Sequence, residues 1–217
     1  MTRIVIVDDH PLVRDQLRAV IESEEDLKIC GEAEDGYHAL EIIMSAIPDV
    51  AILDLTLKGS PGGLDLIKEL HLRYPKLFIL VVSMHDESLY AERAIYAGAR
   101  GYITKQEATK KILHAIRQIL TGEIYLSERM AAKVLTKMTG GRDARGKSSI
   151  ERLTDRELQV FSLIGRGRST RQIGDELHLD MKTIETYRAR IKVKLGIKDA
   201  TDLLQQAILW AHCGDSV

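Results

Sequence analysis

The sequence predicts an α/β protein whose first domain is a five-stranded, doubly wound parallel sheet and whose second, smaller domain is a bundle of four helices. Two observations lead to this prediction. Over the first 120 residues, five short apolar runs alternate with helical patterns, and strands that alternate with helices are typical of a parallel sheet covered by helices on both faces. From Leu153 onward only short helical patterns follow.

The predicted strands are apolar runs with the length and composition of strands that are buried on both faces. They cover residues 4–7, 27–33, 50–53, 78–82 and 101–104. Between the runs, apolar residues recur at helical spacing. The first domain is therefore expected to span residues 1–122.

Residues 123–149 are predicted to join the two domains. They begin with one helical pattern that includes Met130 and Val134. The stretch 139–149 then contains three glycines and no large apolar residue, which is typical of a flexible linker. The helical domain is expected to cover residues 150–212.

Two capping boxes mark helix starts in the second domain. Thr154 with Glu157 precedes one helical pattern, and Ser169 with Gln172 precedes the next. A helix at 169–177, a turn at 178–180 and a helix at 181–195 have the layout of the helix-turn-helix motif that reads DNA. A fourth helix is expected at 199–211.

Composition and targeting signals favour a cytoplasmic protein without membrane association. No segment approaches the roughly 20 apolar residues that span a bilayer, and the acids directly after the first apolar run are unlike a signal peptide. The two cysteines, Cys30 and Cys213, have no metal-ligand spacing. We therefore expect both to be reduced thiols.

The formal net charge of −1 is unevenly distributed along the chain. Residues 1–122 carry 14 Lys and Arg against 19 Asp and Glu, whereas residues 123–217 carry 17 against 13. This division suggests different partners for the two domains, the second partner being polyanionic. Residues 153–217 alone hold 10 basic and 9 acidic residues, so charge does not distinguish a DNA-reading helix from an ordinary amphipathic one.

Polar residues close the predicted strands at their carboxyl ends. They are Asp8 and Asp9 after the first strand, Asp54 after the third, Ser83 at the fourth and Lys105 after the fifth. Ligands bind at this edge of a doubly wound sheet. Three neighbouring carboxylates repel one another and call for a divalent cation, and hard oxygen ligands suit Mg²⁺. The pattern predicts phosphoryl transfer to Asp54, on the central strand.

The order Asp8-Asp9, Asp54, Ser83, Lys105 resembles the receiver domain of two-component response regulators, which has a flavodoxin-like fold. The resemblance covers residues 1–122. It implies that a sensor histidine kinase phosphorylates Asp54. Ser83 and Lys105 would contact the phosphoryl oxygens, with Ser83 moving toward them after transfer.

The same resemblance implies a metal site and an aromatic switch. The expected Mg²⁺ ligands are Asp9, Asp54 and the backbone carbonyl of Thr56, with Asp8 assisting through water. Tyr102 holds the family's aromatic switch position and would turn inward to fill the space that Ser83 leaves. The loop after Thr56 departs from the family pattern, because Lys58 stands where a proline is usual and Pro61 comes later.

Residues 150–212 resemble the LuxR-type helix-turn-helix domain through the segments 153–157, 169–173, 182–187 and 194–196. The resemblance implies that helix 181–195 enters the major groove of double-stranded DNA and that the protein binds there as a homodimer, often through its last helix. The residues expected nearest the base edges are Lys182, Glu185, Thr186 and Ala189. The residues expected at phosphates are Thr183, Arg188, Arg190 and Lys192.

A receiver followed by a LuxR-type domain is the arrangement of the NarL/FixJ subfamily of response regulators. We therefore expect a DNA-binding transcription regulator switched by phosphorylation of Asp54, and not an enzyme. One hypothesis is that the receiver masks the DNA-reading helix until it is phosphorylated.

Two other classes of function are open at this point. A phosphatase with an aspartyl-phosphate intermediate usually has a second aspartate two residues after the nucleophile, where this chain has Thr56. A phosphorylation-independent adaptor would have no need for Asp54, Ser83 and Lys105 together. Both alternatives are therefore less favoured than a phosphorylated switch.

Overall fold

The computed structural model describes residues 1–57, 62–85, 87–138 and 149–214. The chain forms two compact units, Met1–Leu135 and Thr136–Val217. Lys58, Pro61 and nearly all of the predicted glycine-rich linker lie outside the described residues. Within the described part, no helix combines the length and apolar character required to cross a membrane.

The first unit is an α/β domain with a five-stranded sheet, which confirms the predicted fold class. All pairings are parallel and the strand order is β2-β1-β3-β4-β5. The strands are β1 (Thr2–Val7), β2 (Leu27–Ala33), β3 (Val50–Leu53), β4 (Phe78–Ser83) and β5 (Gly101–Thr104). Its helices are α1 (Pro11–Ile21), α2 (Gly36–Ala46), α3 (Gly63–Arg73), α4 (Glu87–Ala97) and α5 (Lys105–Leu120). A further helix, α6 (Glu128–Met138), begins in this unit and ends three residues beyond Leu135.

The register of the sheet decides where the polar strand ends meet. Val7 of β1 pairs with Leu53 of β3, and Leu53 pairs with Val81 of β4. Val7, Leu53 and Val81 are buried because helices cover both sides of a parallel sheet. The residues that follow Val7 and Leu53, namely Asp8 and Asp54, therefore emerge side by side at one edge.

Within residues 149–214, the second unit has four α-helices after a short 3-10 turn at Ser149–Arg152. The helices are α7 (Asp155–Gly165), α8 (Thr170–Leu177), α9 (Met181–Leu195) and α10 (Ala200–Gly214). Both predicted capping boxes are present, one at Thr154 and one at Ser169. Asp180 caps α9 by accepting a hydrogen bond from the Thr183 backbone N–H at 2.9 Å.

A buried carboxylate joins two helices of the second unit. Glu157 of α7 accepts hydrogen bonds from the Thr154 backbone N–H at 2.7 Å and from Nζ of Lys194, near the end of α9, at 2.6 Å. Burial alone disfavours the charged carboxylate, but the hydrogen bonds from Lys194 and Thr154 outweigh it and lower the pKa of Glu157. The capping box thus also fixes α7 against α9.

We predict that Glu157→Gln destabilises the second unit by about 1–3 kcal/mol at neutral pH, because a charge-assisted hydrogen bond is lost and Lys194 keeps no anionic partner there. Since the folded-state pKa of Glu157 lies below its ordinary value of 4.5, the stabilisation is present above that pH and is lost as the pH falls through the lowered pKa. Urea unfolding followed by fluorescence of Trp210 measures the effect, because Trp210 is the sole tryptophan and its ring lies 5.5 Å from that of Phe161.

Asp175→Asn is the matched control for this prediction, because Asp175 is an exposed acid of the same unit. We expect its unfolding midpoint to stay close to that of the parent protein at every pH. Equal midpoints for Glu157→Gln and the parent at pH 7 would contradict the role assigned to Glu157.

Candidate functional site

A buried lysine bridges two buried aspartates at the carboxyl edge of the sheet. Asp8 and Asp54 are each 2% exposed. Nζ of Lys105 lies 2.7 Å from Oδ2 of Asp8 and 2.7 Å from Oδ2 of Asp54. Three of the predicted site residues are therefore in direct contact, although Lys105 is 51 positions from Asp54 in the chain.

The ammonium of Lys105 is held in its charged form by this arrangement. Burial disfavours the charge, but attraction to Asp54 and hydrogen bonds to Asp54 and Asp8 outweigh the burial and raise the pKa of Lys105 above its ordinary value. Lys105 is the first residue of α5, so the strand that ends at Thr104 delivers its side chain directly into the pocket.

Asp9 and His10 complete one side of the pocket. Nδ1 of His10 lies 2.7 Å from Oδ1 of Asp9 and 3.2 Å from Oδ1 of Asp8. Oδ1 of Asp8 also accepts a hydrogen bond from the His10 backbone N–H at 2.8 Å. Ligand atoms of Asp8, Asp9, His10 and Asp54 all lie within 4.8 Å of one another, so the three predicted carboxylates do converge, with His10 as an additional neighbour.

The loop after β3 lies against Asp54 from the other side. The backbone N–H of Thr56 donates to Oδ1 of Asp54 at 3.1 Å. The loop passes close to the start of α3, where a Cβ on Gly63 would lie 2.7 Å from the Asp54 carbonyl oxygen and 2.5 Å from Cα of Leu55. A side chain at position 63 would therefore displace the loop that carries Asp54.

The predicted switch residues, Ser83 and Tyr102, are both buried in the first unit. Ser83 is fully buried, and its Oγ accepts from the His85 backbone N–H at 3.3 Å. The ring of Tyr102 is 1% exposed and already lies inside the domain, where its hydroxyl donates to the His85 carbonyl oxygen at 2.8 Å. Burial raises the pKa of Tyr102 well above its ordinary value, so its hydroxyl keeps its proton at physiological pH.

His85 was not among the predicted site residues, yet it connects several of them. Its Nε2 lies 3.0 Å from Oγ1 of Thr56, and its ring stacks on Tyr90 of α4 at a centroid distance of 4.4 Å. Its main chain contacts Ser83 and Tyr102 as described. The only sequence signal was its position two residues after Ser83, which does not reveal contacts with residues far away in the chain.

The second candidate site is the surface of α9. Ile184 and Ile191 are fully buried. The opposite side of the helix therefore faces solvent. The predicted base-edge residues Lys182, Glu185, Thr186 and Ala189 are exposed, as is Arg190. The other predicted phosphate contacts, Thr183, Arg188 and Lys192, are partly exposed.

Contacts on this surface fix several side chains. Oγ1 of Thr170, the first residue of α8, donates to Oε1 of Glu185 at 2.9 Å, and Arg188 Nε lies 3.7 Å from the same oxygen. Oγ1 of Thr186 donates to the Lys182 carbonyl oxygen of its own helix at 2.9 Å. Glu185 is therefore oriented by a neighbouring helix, whereas Lys182 and Arg190 extend from the exposed face.

Comparison with known proteins identifies both units. Residues 4–117 match the response regulator receiver domain, and residues 151–207 match the bacterial regulatory proteins of the luxR family. The chain is 34% identical to the transcriptional regulatory protein LiaR of Bacillus subtilis, over 98% of this chain and 97% of that protein. It is 29% identical to the oxygen regulatory protein NreC of Staphylococcus carnosus, over 95% and 96% of the two chains.

Solved structures of response regulators are also similar to this chain. The chain is similar to RcsB of Salmonella enterica serovar Typhimurium bound to promoter DNA in the presence of the phosphomimetic BeF3−, with a TM-score of 0.70, 25% identity, and coverage of 95% of this chain and 98% of that one. It is also similar to a LuxR-family two-component response regulator from Aurantimonas sp., with a TM-score of 0.59, 33% identity, and coverage of 64% and 99%.

The fold and the two sites define a two-domain regulator with a receiver domain and a LuxR-type DNA-binding domain. The chain belongs to the response regulator family and is a transcriptional response regulator of the NarL/FixJ type. This is a family of transcriptional regulators and not of enzymes.

We predict that Lys105→Met destabilises the first unit by roughly 3 kcal/mol, because removing the cation leaves two buried carboxylates facing each other without a counter-charge. Lys111→Met is the matched control, since Lys111 on the same helix forms a largely exposed pair with Glu107 that contributes little. The unfolding midpoint of the first unit in urea is measured by circular dichroism. Fluorescence of Trp210 separately gives the midpoint of the second unit. Equal midpoints for the Lys105 and Lys111 variants would contradict the prediction.

Proposed function

We propose that this transcription regulator is switched by phosphorylation of Asp54, with residues 1–122 as the receiver, 123–149 as the linker and 150–212 as the DNA-binding domain. The observation that supports this most directly is the setting of the Asp54 carboxylate. One of its oxygens faces Lys105 and the other accepts from the Thr56 backbone N–H. Together the two contacts offset the negative charge of the carboxylate that would carry a phosphoryl group.

Each of the pocket residues Asp54, Lys105 and Ser83 has a different role in phosphoryl transfer. A carboxylate oxygen of Asp54 attacks the phosphorus atom of a phosphohistidine on a sensor histidine kinase, and the imidazole of that histidine leaves. The Lys105 ammonium stabilises the negative charge on the phosphoryl oxygens. Ser83, which is fully buried, supplies a hydroxyl donor to the phosphoryl oxygens once it turns toward them.

The donor set fits Mg²⁺. The carboxylate oxygens of Asp8, Asp9 and Asp54 converge, and such hard oxygen ligands are those that Mg²⁺ prefers. We propose that these three residues and the backbone carbonyl of Thr56 hold the ion, with Asp8 acting through water. When bound, Mg²⁺ supplies positive charge that offsets both the clustered carboxylates and the incoming phosphoryl oxygens.

The position of Thr56 supports a switch over an enzyme. An acid/base carboxylate two residues after the nucleophile would promote turnover of outside substrates, but Thr56 has only a hydroxyl there, and this hydroxyl contacts His85. The phosphoaspartate is then a lasting signal and not an intermediate of catalysis. We propose that the protein acts in the cytoplasm, where a DNA-binding regulator meets its promoters.

We propose that the second unit binds promoter DNA in response to phosphorylation. The structurally similar RcsB was solved with promoter DNA, and the exposed face of α9 carries Lys182 and Arg190. We propose that α9 enters the major groove, with the eight residues predicted from the sequence at base edges and phosphates. Leu204, Ile208 and Leu209 expose apolar surface on α10, which supports a homodimer on DNA through this helix.

We predict that incubation with acetyl phosphate and Mg²⁺ adds one phosphoryl group per chain and that Asp54→Asn abolishes the gain, because the amide lacks the nucleophilic oxygen. Intact-protein mass spectrometry measures the outcome. Asp15→Asn, which changes an exposed aspartate of α1, should still be phosphorylated. A mass gain that survives in Asp54→Asn would place the phosphoacceptor elsewhere.

Two substitutions on α9 should weaken DNA binding in different ways. Arg190→Ala is expected to lower affinity similarly for all sequences and to reduce the salt dependence by about one phosphate contact. Glu185→Ala is expected to relax the preference for cytosine at one position, at a cost of about 1–3 kcal/mol, because a carboxylate accepts from cytosine N4.

Selection of duplexes from a random pool, followed by fluorescence anisotropy at several salt concentrations, measures both effects. Lys198→Ala, just beyond α9, is the matched control for removal of an exposed cation. An unchanged base preference in Glu185→Ala would contradict a contact of Glu185 with cytosine. The contact with Thr170 would then be the role left to Glu185 among those described above.

A further inference from the structure

The segment after α5 is fastened to the edge of the sheet. Tyr125 forms a parallel bridge with Gly101. The Tyr102 backbone N–H donates to the Tyr125 carbonyl oxygen at 3.0 Å, and the Tyr125 backbone N–H donates to the Arg100 carbonyl oxygen at 2.9 Å. The main chain of this segment therefore contacts the residue whose ring lies behind the phosphoacceptor pocket.

A second attachment joins the same segment to the start of α4. The backbone N–H of Ser127 donates to Oε1 of Glu87 at 2.9 Å, and the Ser127 hydroxyl donates to Oε2 of Glu87 at 2.5 Å. Ser127 also accepts from the Met130 backbone N–H at 3.2 Å, so it caps α6. We call this pair of hydrogen bonds between Glu87 and Ser127 the Glu87–Ser127 latch.

The chemistry of the latch favours a firm attachment of α6 to the start of α4. Hydrogen bonds to a carboxylate are stronger than those between neutral groups, and a carboxylate is favoured at the N-terminus of a helix. Among the described side chains of α6, Met130 is the one that is buried, at 2% exposure. Lys133 adds a hydrogen bond to the Ser88 carbonyl oxygen at 3.1 Å, again at the start of α4.

Glu87 is also close in the chain to the residues that line the pocket. It is the first residue of α4 and comes four positions after Ser83. The short connection between them contains His85, which contacts Ser83, Tyr102 and the loop after Asp54. Glu87 therefore follows His85 by two positions in the chain and contacts Ser127 at the start of α6.

We infer that Glu87 and Ser127 are positioning residues that convey phosphorylation of Asp54 to helix α6, the helix of the linker that precedes the DNA-binding domain. This inference rests on the proposed function, because it requires the pocket to rearrange when a phosphoryl group is present. When Ser83 moves toward the phosphoryl oxygens, the connection to α4 shifts and the Glu87–Ser127 latch moves α6 with it. The latch contributes nothing to phosphoryl transfer itself.

Hydrogen–deuterium exchange of the full chain, with and without Mg²⁺ and BeF3−, tests this inference. In the parent protein we expect exchange to change both at residues 83–90 and at residues 127–135. In Ser127→Ala, the change at 83–90 should remain and the change at 127–135 should be lost. Ser127→Thr, which keeps the hydroxyl, should restore it, and Glu128→Gln, next to the latch on an exposed position, should behave like the parent.

Glu87→Gln distinguishes signal transfer from simple unfolding of α6, because glutamine keeps an oxygen for the Ser127 backbone N–H. In this variant α6 should show parent-like exchange without BeF3− and a diminished response to it, because the charge-assisted hydrogen bonds are replaced by weaker neutral ones. An undiminished response of residues 127–135 in Ser127→Ala or Glu87→Gln would overturn the inference. The absence of any response at 83–90 in the parent would instead refute the proposed switch, and the inference with it.

Discussion

The contact of Lys105 with Asp8 and Asp54 is the constraint on which the receiver domain depends. Two nearly buried carboxylates at the ends of β1 and β3 would repel each other, and the ammonium at the start of α5 offsets that repulsion at 2.7 Å from each. The parallel register brings the acids side by side. The hydrophobic core and the pocket around Lys105 therefore both depend on the register of β1 against β3.

The same residues bear on the proposed switch. If Asp54 accepts a phosphoryl group as we propose, that group competes with Asp8 and Asp54 for the contacts of Lys105. Around it, His85 contacts the loop that follows Asp54 and the residues Ser83 and Tyr102. These contacts connect the pocket to α4, because the His85 ring also stacks on Tyr90 of that helix.

Much of this was predictable from the sequence. The five strands, the capping boxes and the convergence of Asp8, Asp54 and Lys105 follow from short-range patterns, because strand ends in a parallel sheet share one edge. The contacts of Glu157 with Lys194 and of Glu87 with Ser127 were not predicted. They join residues 37 and 40 positions apart, and such pairs depend on how helices pack, which local periodicity does not encode.

The most direct test of the central claim is the affinity of the full chain for DNA duplexes selected from a random pool, measured by anisotropy with and without Mg²⁺ and BeF3−. We expect BeF3− to change the affinity several-fold in the parent protein and to have no effect in Asp54→Asn. Equal affinities in the parent with and without BeF3−, while mass spectrometry shows Asp54 to be phosphorylated by acetyl phosphate, would contradict a switch that links the Lys105 pocket to DNA binding.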